Sequence, residues 1–236
     1  MKNIALIPAA GNGNRMGKKQ KKQFLNLAGQ PMLARTVLLF QNCDDIHEII
    51  LVVPKNDVSY CQEEIINKYQ LDKVKKVVIG GSNRAQSVYN GIKEIKAGLE
   101  DVVLVHDAAR PMLTHQLLKD LIKHLRTNPH SDGVIPVIPV KDTIKIIEAG
   151  KVVKTPLREK LFAVQTPQCF YINKLEAAFK KSIGSLEKFT DESSMMEYLG
   201  YSIETIKGEE TNIKITTPQD LLLAQYILER EGLGDV

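Results

Sequence analysis

Short β-branched apolar runs recur along this chain, and between most of them lies an amphipathic segment long enough to be a helix. The runs are Asn3 to Pro8, Glu48 to Val53, Lys75 to Ile79, Val102 to His106, Gly133 to Val137, Ser202 to Ile206 and Asn212 to Ile215. The amphipathic segments are Pro31 to Gln41, Val58 to Tyr69, Ala85 to Leu99, His115 to Arg126, Asn173 to Ile183, Asp191 to Leu199 and Pro218 to Arg230. Parallel strands need a crossover, and a helix is the usual one, so the alternation predicts an α/β fold with a mostly parallel sheet covered on both faces. The last helix is the best signalled: Thr217 is a good N-cap, Pro218 suits the first turn, Asp220 offers a carboxylate to the exposed N–H groups, and Gly232 follows the end. One stretch breaks the rhythm. From Thr143 to Lys154 two short β-like runs flank a glycine-containing turn, which reads as a hairpin that extends a sheet edge or projects as an arm.

The first run empties into a loop, residues 8 to 24, of glycines and cations. Gly11, Gly13 and Gly17 let the backbone turn tightly and present its N–H groups, and Arg15, Lys18, Lys19, Lys21 and Lys22 crowd positive charge around the same turn. A triphosphate cradle and a plain turn with a solvated charge run both satisfy these residues. Two familiar phosphate loops are disfavoured by spacing. Gly17-Lys18 is followed by Lys19 rather than the hydroxyl that a Walker loop uses for magnesium. Gly11-x-Gly13 meets Met16 where a dinucleotide fingerprint wants its third glycine, and no acid follows until Asp44.

A chain of 236 residues with 43% hydrophobic content supplies one sizeable core, so a single domain over residues 1–236 is expected. Three widely separated cysteines, Cys43, Cys61 and Cys169, have no metal-ligand spacing and read as reduced thiols of a cytoplasmic protein. The N-terminus lacks a signal-peptide pattern and no apolar run reaches membrane-spanning length, so no membrane association is expected. The net charge of +4 favours anionic partners, but the cations sit in loops rather than in a stripe interleaved with aromatics, and there is no tryptophan. Nucleic acid is therefore not the expected partner. None of the five histidines has metal or triad spacing, and His106 reads as packed at a strand end.

Read together, the loops are specific. P-A-A-G-x-G-x-R-M-G at Pro8 to Gly17 and K-Q-F-L at Lys22 to Leu25 are followed by Gly80-Gly81-Ser82-Asn83-Arg84-Ala85-Gln86-Ser87-Val88, Val105-His106-Asp107-Ala108-Ala109-Arg110-Pro111 and Pro139-Val140-Lys141-Asp142-Thr143-Ile144-Lys145. Gln165-Thr166-Pro167-Gln168, Thr190-Asp191-Glu192 and Asn212-Ile213-Lys214-Ile215-Thr216 complete the series. In this order they resemble the sugar-phosphate cytidylyltransferases, and within them the methylerythritol-phosphate branch more than the ribitol 5-phosphate branch. One departure is visible: the family has proline before the lysine of K-Q-F/Y-L, whereas here Lys21 precedes Lys22. Lys22, which abuts Gln23, takes the phosphate-binding assignment.

The resemblance implies a Rossmann-like three-layer sandwich with a β-arm at about residues 140–160 that clasps a second subunit. It also implies transfer of a cytidylyl group from CTP to a sugar-alcohol phosphate. The attacking phosphate is already an anion near neutral pH, so no general base is required; the site must hold two anions in line and neutralise the charge on the leaving pyrophosphate. Arg15, Lys22 and Lys214 are the implied catalytic cations, and Pro8, Ala9, Ala10, Gly11, Gly13, Gly81, Ser82 and Ser87 the implied nucleotide-binding residues. Asp107, at the end of a strand, is the carboxylate for a Mg2+ ion, with Arg110, Thr143, Arg158, Thr166 and Thr190 around the second substrate. Singly, each has a bland alternative: Asp107 a turn cap, Ser82 an N-cap, Thr190 a cap for the helix near Asp191, Arg110 a structural ion pair, Thr143 and Thr166 strand residues. A homodimer with shared active sites is the implied assembly, and a nucleotide-sensing protein without turnover is the rival from another class.

Overall fold

The computed structural model describes residues 1–11, 21–96 and 98–230. Strand β1 (Asn3–Pro8) precedes two two-residue strands, β2 (Asn26–Leu27) and β3 (Gln30–Pro31), and helix α1 (Met32–Gln41). β4 (Glu48–Val53) is followed by α2 (Val58–Tyr60), which continues as a π-helix over Cys61–Asn67, and β5 (Val74–Ile79) by α3 (Arg84–Lys93). Next come β6 (Val102–Val105), α4 (His115–Thr127), β7 (Gly133–Pro139) and the hairpin strands β8 (Ile146–Glu148) and β9 (Lys151–Lys154). The chain ends with β10 (Phe162–Val164), β11 (Gln168–Tyr171), α5 (Ile172–Lys181), α6 (Glu192–Tyr198), β12 (Ile203–Lys207) and α7 (Pro218–Arg230).

The main sheet runs β10-β7-β11-β6-β1-β4-β5 with β12 added to β7. β6, β1, β4 and β5 are parallel neighbours, as are β7 and β12, while β11 is antiparallel to both β6 and β7. Gly133 and Val134 pair β11 on one side and β12 on the other, and Val137 pairs Val164 of β10 and Lys207 of β12. β10 and β11 therefore share one flank of β7 in succession. Because side chains alternate along a strand, each central strand feeds two cores. Ala5, Ile7, Ile49, Leu51, Val53 and Leu104 join α1, the π-helix and α4 on one face; Ile4, Leu6, Ile50, Val52, Val103 and Val105 join α3, α5 and α6 on the other. Burying each of the Val, Leu and Ile side chains is worth about 1.5–3 kcal/mol, which is why these unbroken apolar strands belong in the middle of a doubly covered sheet.

The mixed α/β architecture agrees with the sequence reading, and the differences are local. Asn212 to Ile215 is not a strand. Asn212 is fully buried and its side-chain amide donates to the Thr166 carbonyl, while the Ile215 N–H goes to the Ala109 carbonyl, so separate partners replace a ladder. β10 and β11 were not foreseen. α3 stops at Lys93, six residues short of Leu99, where the Glu94 N–H closes the helix on Gly91 and Ile92. Thr217 caps α7 as expected: its hydroxyl accepts from the Asp220 N–H at 3.2 Å and its own N–H donates to the Asp220 carboxylate at 2.7 Å. Gly232 lies outside the described residues. The Thr143 to Lys154 hairpin is present, turning through Ala149 (φ 47°) and Gly150 (φ 78°), two successive left-handed residues that suit a tight hairpin.

Candidate active site

A cleft of about 520 Å3 opens where β1, β4, β5 and β6 end. Its walls are the segments that leave those strands: Pro8 to Gly11 after β1, Pro54 and Lys55 after β4, Ile79 to Arg84 after β5, and Asp107 to Ala109 after β6, with Lys22, Gln23 and Lys214 closing the sides. From β1 the chain proceeds outward to β4 and β5, then returns across β1 to lay down β6. The cleft thus sits at the carboxyl ends of strands at a topological switch point, where open α/β sheets bind ligands.

Two loops form the floor, and each is fixed from behind. The Ala9 N–H donates to the Val52 carbonyl at 2.7 Å, and the Ala9 carbonyl accepts from the buried Gln23 amide at 2.9 Å. Across the cleft, Ser87 Oγ accepts from the Gly81 N–H at 3.0 Å and donates to the Asn83 carbonyl at 2.8 Å, holding the turn. Asn83, rather than Ser82, caps α3 by accepting from the Gln86 N–H. Ser82 is exposed on the cleft wall. The two loops touch at Gly80, where a Cβ would stand 2.3 Å from the Ala10 Cβ, so only glycine admits this approach.

The charged groups form one network. Asp107, 8% exposed, receives Arg84 Nε on one carboxylate oxygen at 3.1 Å and Lys214 Nζ on the other at 2.7 Å. Burial alone would raise its pKa, but Arg84 and Lys214 outweigh it and hold the carboxyl well below the usual range. Arg84 also reaches back with Nη1 to both oxygens of Glu192, at 2.7 and 3.0 Å. Glu192 is 1% exposed at the start of α6; burial pushes its carboxyl up, and Arg84 offsets only part of this. Arg84 itself pays a burial penalty that the two carboxylates more than reverse, so its guanidinium is held firmly charged. Lys22 Nζ donates to the Ile215 carbonyl at 2.7 Å, which ties the 8–24 loop to the Lys214 segment. Lys21 turns the other way, onto both Asp57 oxygens at 2.6 and 2.7 Å, and does not line the cleft.

The sequence-derived site residues divide accordingly. Pro8, Ala9, Ala10, Gly11, Lys22, Gly81, Ser82, Ser87, Asp107 and Lys214 meet at this cleft. Gly13 and Arg15 lie outside the described residues. Thr190 lines an adjoining cleft of about 230 Å3 that shares Asn83 and Arg84 with the first, and the cap of α6 is Asp191, whose carboxylate accepts from the Ser194 N–H at 2.9 Å. Arg110 is not on either wall, and among the described residues it makes no ion pair; its guanidinium donates to the Asn212 carbonyl at 2.6 Å and the Val164 carbonyl at 3.4 Å. Burial lowers its pKa against the pull of Asp107. Thr166 is buried, its hydroxyl accepting from the Asp107 N–H at 3.1 Å. Thr143 and Arg158 are exposed at the two ends of the hairpin, away from both clefts, Arg158 donating to the Lys141 carbonyl at 3.3 Å. Sequence reasoning quoted Arg84 and Glu192 within motifs but gave them no role, since nothing local announces a pair separated by 108 residues.

Among the described residues no three metal-ligating side chains stand together, and Asp107 is the only acid on the cleft wall. That donor set fits a Mg2+ ion carried by a nucleotide, because Mg2+ typically takes one or two carboxylates and completes its shell with phosphate oxygens and water. It does not fit a resident all-protein metal cage. Lys22, Lys55, Arg84 and Lys214 against one carboxylate make a cleft for a polyanion.

A family model described as 2-C-methyl-D-erythritol 4-phosphate cytidylyltransferase matches residues 3–230. Relatives bearing that name include one from Alkaliphilus metalliredigens, 43% identical over 98% of this chain and 94% of its own, and one from Clostridium botulinum, 44% identical over 97% and 98%. The solved 4-diphosphocytidyl-2C-methyl-D-erythritol synthase of Anaerococcus prevotii superposes with a TM-score of 0.82 at 33% identity, covering 97% of this chain and 96% of that one. The Francisella tularensis 2-C-methyl-D-erythritol 4-phosphate cytidylyltransferase gives 0.81 at 30% identity, over 96% and 99%.

Proposed function

This chain belongs to the family of 2-C-methyl-D-erythritol 4-phosphate cytidylyltransferases, and from that premise we propose how its cleft carries out the reaction. The enzyme transfers the cytidylyl group of CTP to 2-C-methyl-D-erythritol 4-phosphate, giving the CDP-linked methylerythritol and pyrophosphate for isoprenoid precursor synthesis. The observation that carries the mechanism is the convergence of Lys22, Lys214 and Asp107 on the Pro8 to Gly11 backbone at one strand edge. The oxygen of the sugar phosphate attacks the α-phosphorus, the bond to the bridging oxygen breaks, and the electron pair leaves with pyrophosphate. Lys22 and Lys214 neutralise charge that grows along this path, and Arg15 belongs to the same set of cations. The turn at Gly81, Ser82 and Ser87, at the N-terminus of α3, receives the cytidine together with Pro8 to Gly11. When bound, Mg2+ supplies charge neutralisation on the triphosphate, and Asp107 is the carboxylate that holds it. Release of pyrophosphate on mixing CTP, Mg2+ and methylerythritol phosphate, with ribitol 5-phosphate run alongside, tests this reading. Preferential turnover of ribitol 5-phosphate, or binding without turnover, refutes it.

The second substrate's phosphate pocket is completed across a homodimer. Thr143 and Arg158 flank a hairpin whose Ile147, Val152 and Val153 are more than half exposed, as are the neighbouring Leu157 and Phe162. An apolar patch of this kind is what a subunit contact covers. The arm of one subunit then brings Thr143 and Arg158 to the partner's cleft, where they join Thr190 around the substrate, with Arg110 and Thr166 behind the wall contributing through the Asn212 carbonyl and the Asp107 N–H that they hold. Mixing inactive Lys22→Ala with inactive Arg158→Ala tests this. Random exchange makes about half the dimers hybrids with one intact site in two, so roughly a quarter of wild-type activity returns. Activity that stays at background after proven exchange refutes the shared site. A single domain with a projecting arm, and residence in the cytoplasm, complete the proposal; the three cysteines are buried free thiols, and among the described residues no helix is long and apolar enough to cross a membrane.

A further inference from the structure

His106 stands one residue before Asp107, is fully buried beside the Phe40 ring at 5.1 Å, and has two polar partners. Its Nε2 lies 2.9 Å from the Arg110 carbonyl, which only accepts, so Nε2 carries the proton. A neutral imidazole carries one N–H, so with that proton on Nε2 the buried Nδ1 is an acceptor. Thr166 Oγ1 is 3.1 Å from that Nδ1 and 3.1 Å from the Asp107 N–H. A hydroxyl has one proton and two lone pairs, so the directions are forced: the Asp107 N–H donates to Thr166, Thr166 donates to His106, and His106 donates to Arg110. The Thr166 carbonyl in turn accepts from the Asn212 amide at 2.9 Å, two residues from Lys214.

We infer that His106 is a positioning residue for the cytidylyl transfer, acting through the Thr166 hydroxyl to fix the backbone from which the Asp107 carboxylate enters the cleft. The chain of donors has one consistent orientation, and it is closed at both ends by backbone. Thr166 therefore contributes to the second substrate by shaping the Asp107 turn, since its proton is committed to His106. This rests on the reading of Asp107 as the metal-side carboxylate.

The test uses side chains that each keep half of the imidazole. The Asn oxygen in His106→Asn occupies the place of Nδ1 and still accepts from Thr166; the Gln amide in His106→Gln occupies the place of Nε2 and still donates to Arg110. If His106 acts through Thr166, His106→Asn keeps kcat within about threefold of wild type, while His106→Gln and His106→Leu lose about tenfold or more in kcat with both KM values nearly unchanged. In a Thr166→Val background the difference between Asn and Gln disappears. Equal kcat for the Asn and Gln variants overturns the inference, and so does a Thr166→Val defect seated in the KM for the sugar phosphate and additive with the His106 changes. Should His106→Leu fail to fold, the two polar variants decide alone. Asp107→Asn at full activity removes the metal-side reading itself, whereas indistinguishable His106 variants beside a crippled Asp107→Asn remove only the inference.

Discussion

Arg84→Met removes a guanidinium that serves two carboxylates and keeps most of its aliphatic length. Glu192 is then left 1% exposed without its Nη1 partner, and Asp107 retains Lys214. Breaking a buried ion pair from one side costs about 3–5 kcal/mol, because the remaining charge stays desolvated. For a chain of this length each kcal/mol moves the melting temperature by about 2–4 °C, so the variant should melt on the order of 10 °C below wild type. Glu192→Gln in the same background needs no counter-charge and should restore more than half of the loss, a coupling of about 2 kcal/mol or more. The deficit must also depend on pH with a definite sign. Glu192 has a carboxyl raised by burial, so its folded form binds the proton more tightly than the unfolded form. That contribution is present below the unfolded value and is lost as pH rises through the folded one. Asp107, with a lowered carboxyl, behaves oppositely: its contribution is present above the unfolded value and lost only in acid. Between about pH 5 and 8 Asp107 stays ionised in both states, so the change belongs to Glu192, and the Arg84→Met deficit should shrink toward the acid end. Thermal melts of the four proteins followed by circular dichroism at both pH values read this out. A melting temperature within about 2 °C of wild type, additivity in the cycle, or a deficit independent of pH each refutes the reasoning.

Lys22→Ala should lower kcat by about a hundredfold or more while melting falls by only a few degrees, since Lys22 belongs to none of the apolar cores and a hydrogen bond such as that to Ile215 is worth about 1 kcal/mol; Lys21→Ala, whose ammonium is spent on Asp57, should leave steady-state kinetics near wild type. Activity should vanish in excess chelator and return with Mg2+, and Asp107→Asn should be impaired in kcat more than in KM for CTP, as read by pyrophosphate release across a Mg2+ titration. Gly80→Ala brings a methyl to 2.3 Å from the Ala10 Cβ and 3.0 Å from Ser87 Oγ, so the two floor loops must part by about 1 Å to reach ordinary contact; CTP affinity measured by calorimetry should fall by about tenfold.

The parallel half of the sheet was legible because β1, β4 and β6 are buried on both faces, and such strands leave unbroken apolar runs, while the half-exposed edge strand β5 still carries a Val-Val-Ile run. The hairpin was legible from its turn. β10 and β11 were not, because three- and four-residue strands that owe their place to β6 and β7 have no periodicity of their own. Asn212 to Ile215 erred in the other direction: Ile-Lys-Ile has strand composition, but a fully buried Asn212 bonding to the Thr166 carbonyl specifies a loop clamp. π-helical winding over Cys61–Asn67 likewise left no mark in the amphipathic pattern that announced a helix.

The site was legible where chemistry is local and obscure where it depends on a partner far along the chain. Glycines and lysines after β1 mark a candidate anion loop within a few residues, and an acid at the end of β6 is placed by topology alone. Whether a given cation is available is settled by long-range geometry. Lys21 and Lys22 are neighbours in sequence, yet one closes on Asp57 and the other reaches Ile215, 193 positions away. Lys214 and Arg84 converge on Asp107 from opposite directions of the chain. Anchoring by carbonyls and carboxylates of the same chain orders the long lysine and arginine side chains during folding, so less rotamer freedom remains to be lost when a triphosphate binds. Lys214 and Arg84 also stand on opposite oxygens of the Asp107 carboxylate, so a Mg2+ ion held there as proposed would bring the triphosphate beside two cations that this carboxylate has already ordered, and their charge would face the leaving group without further rearrangement of the backbone.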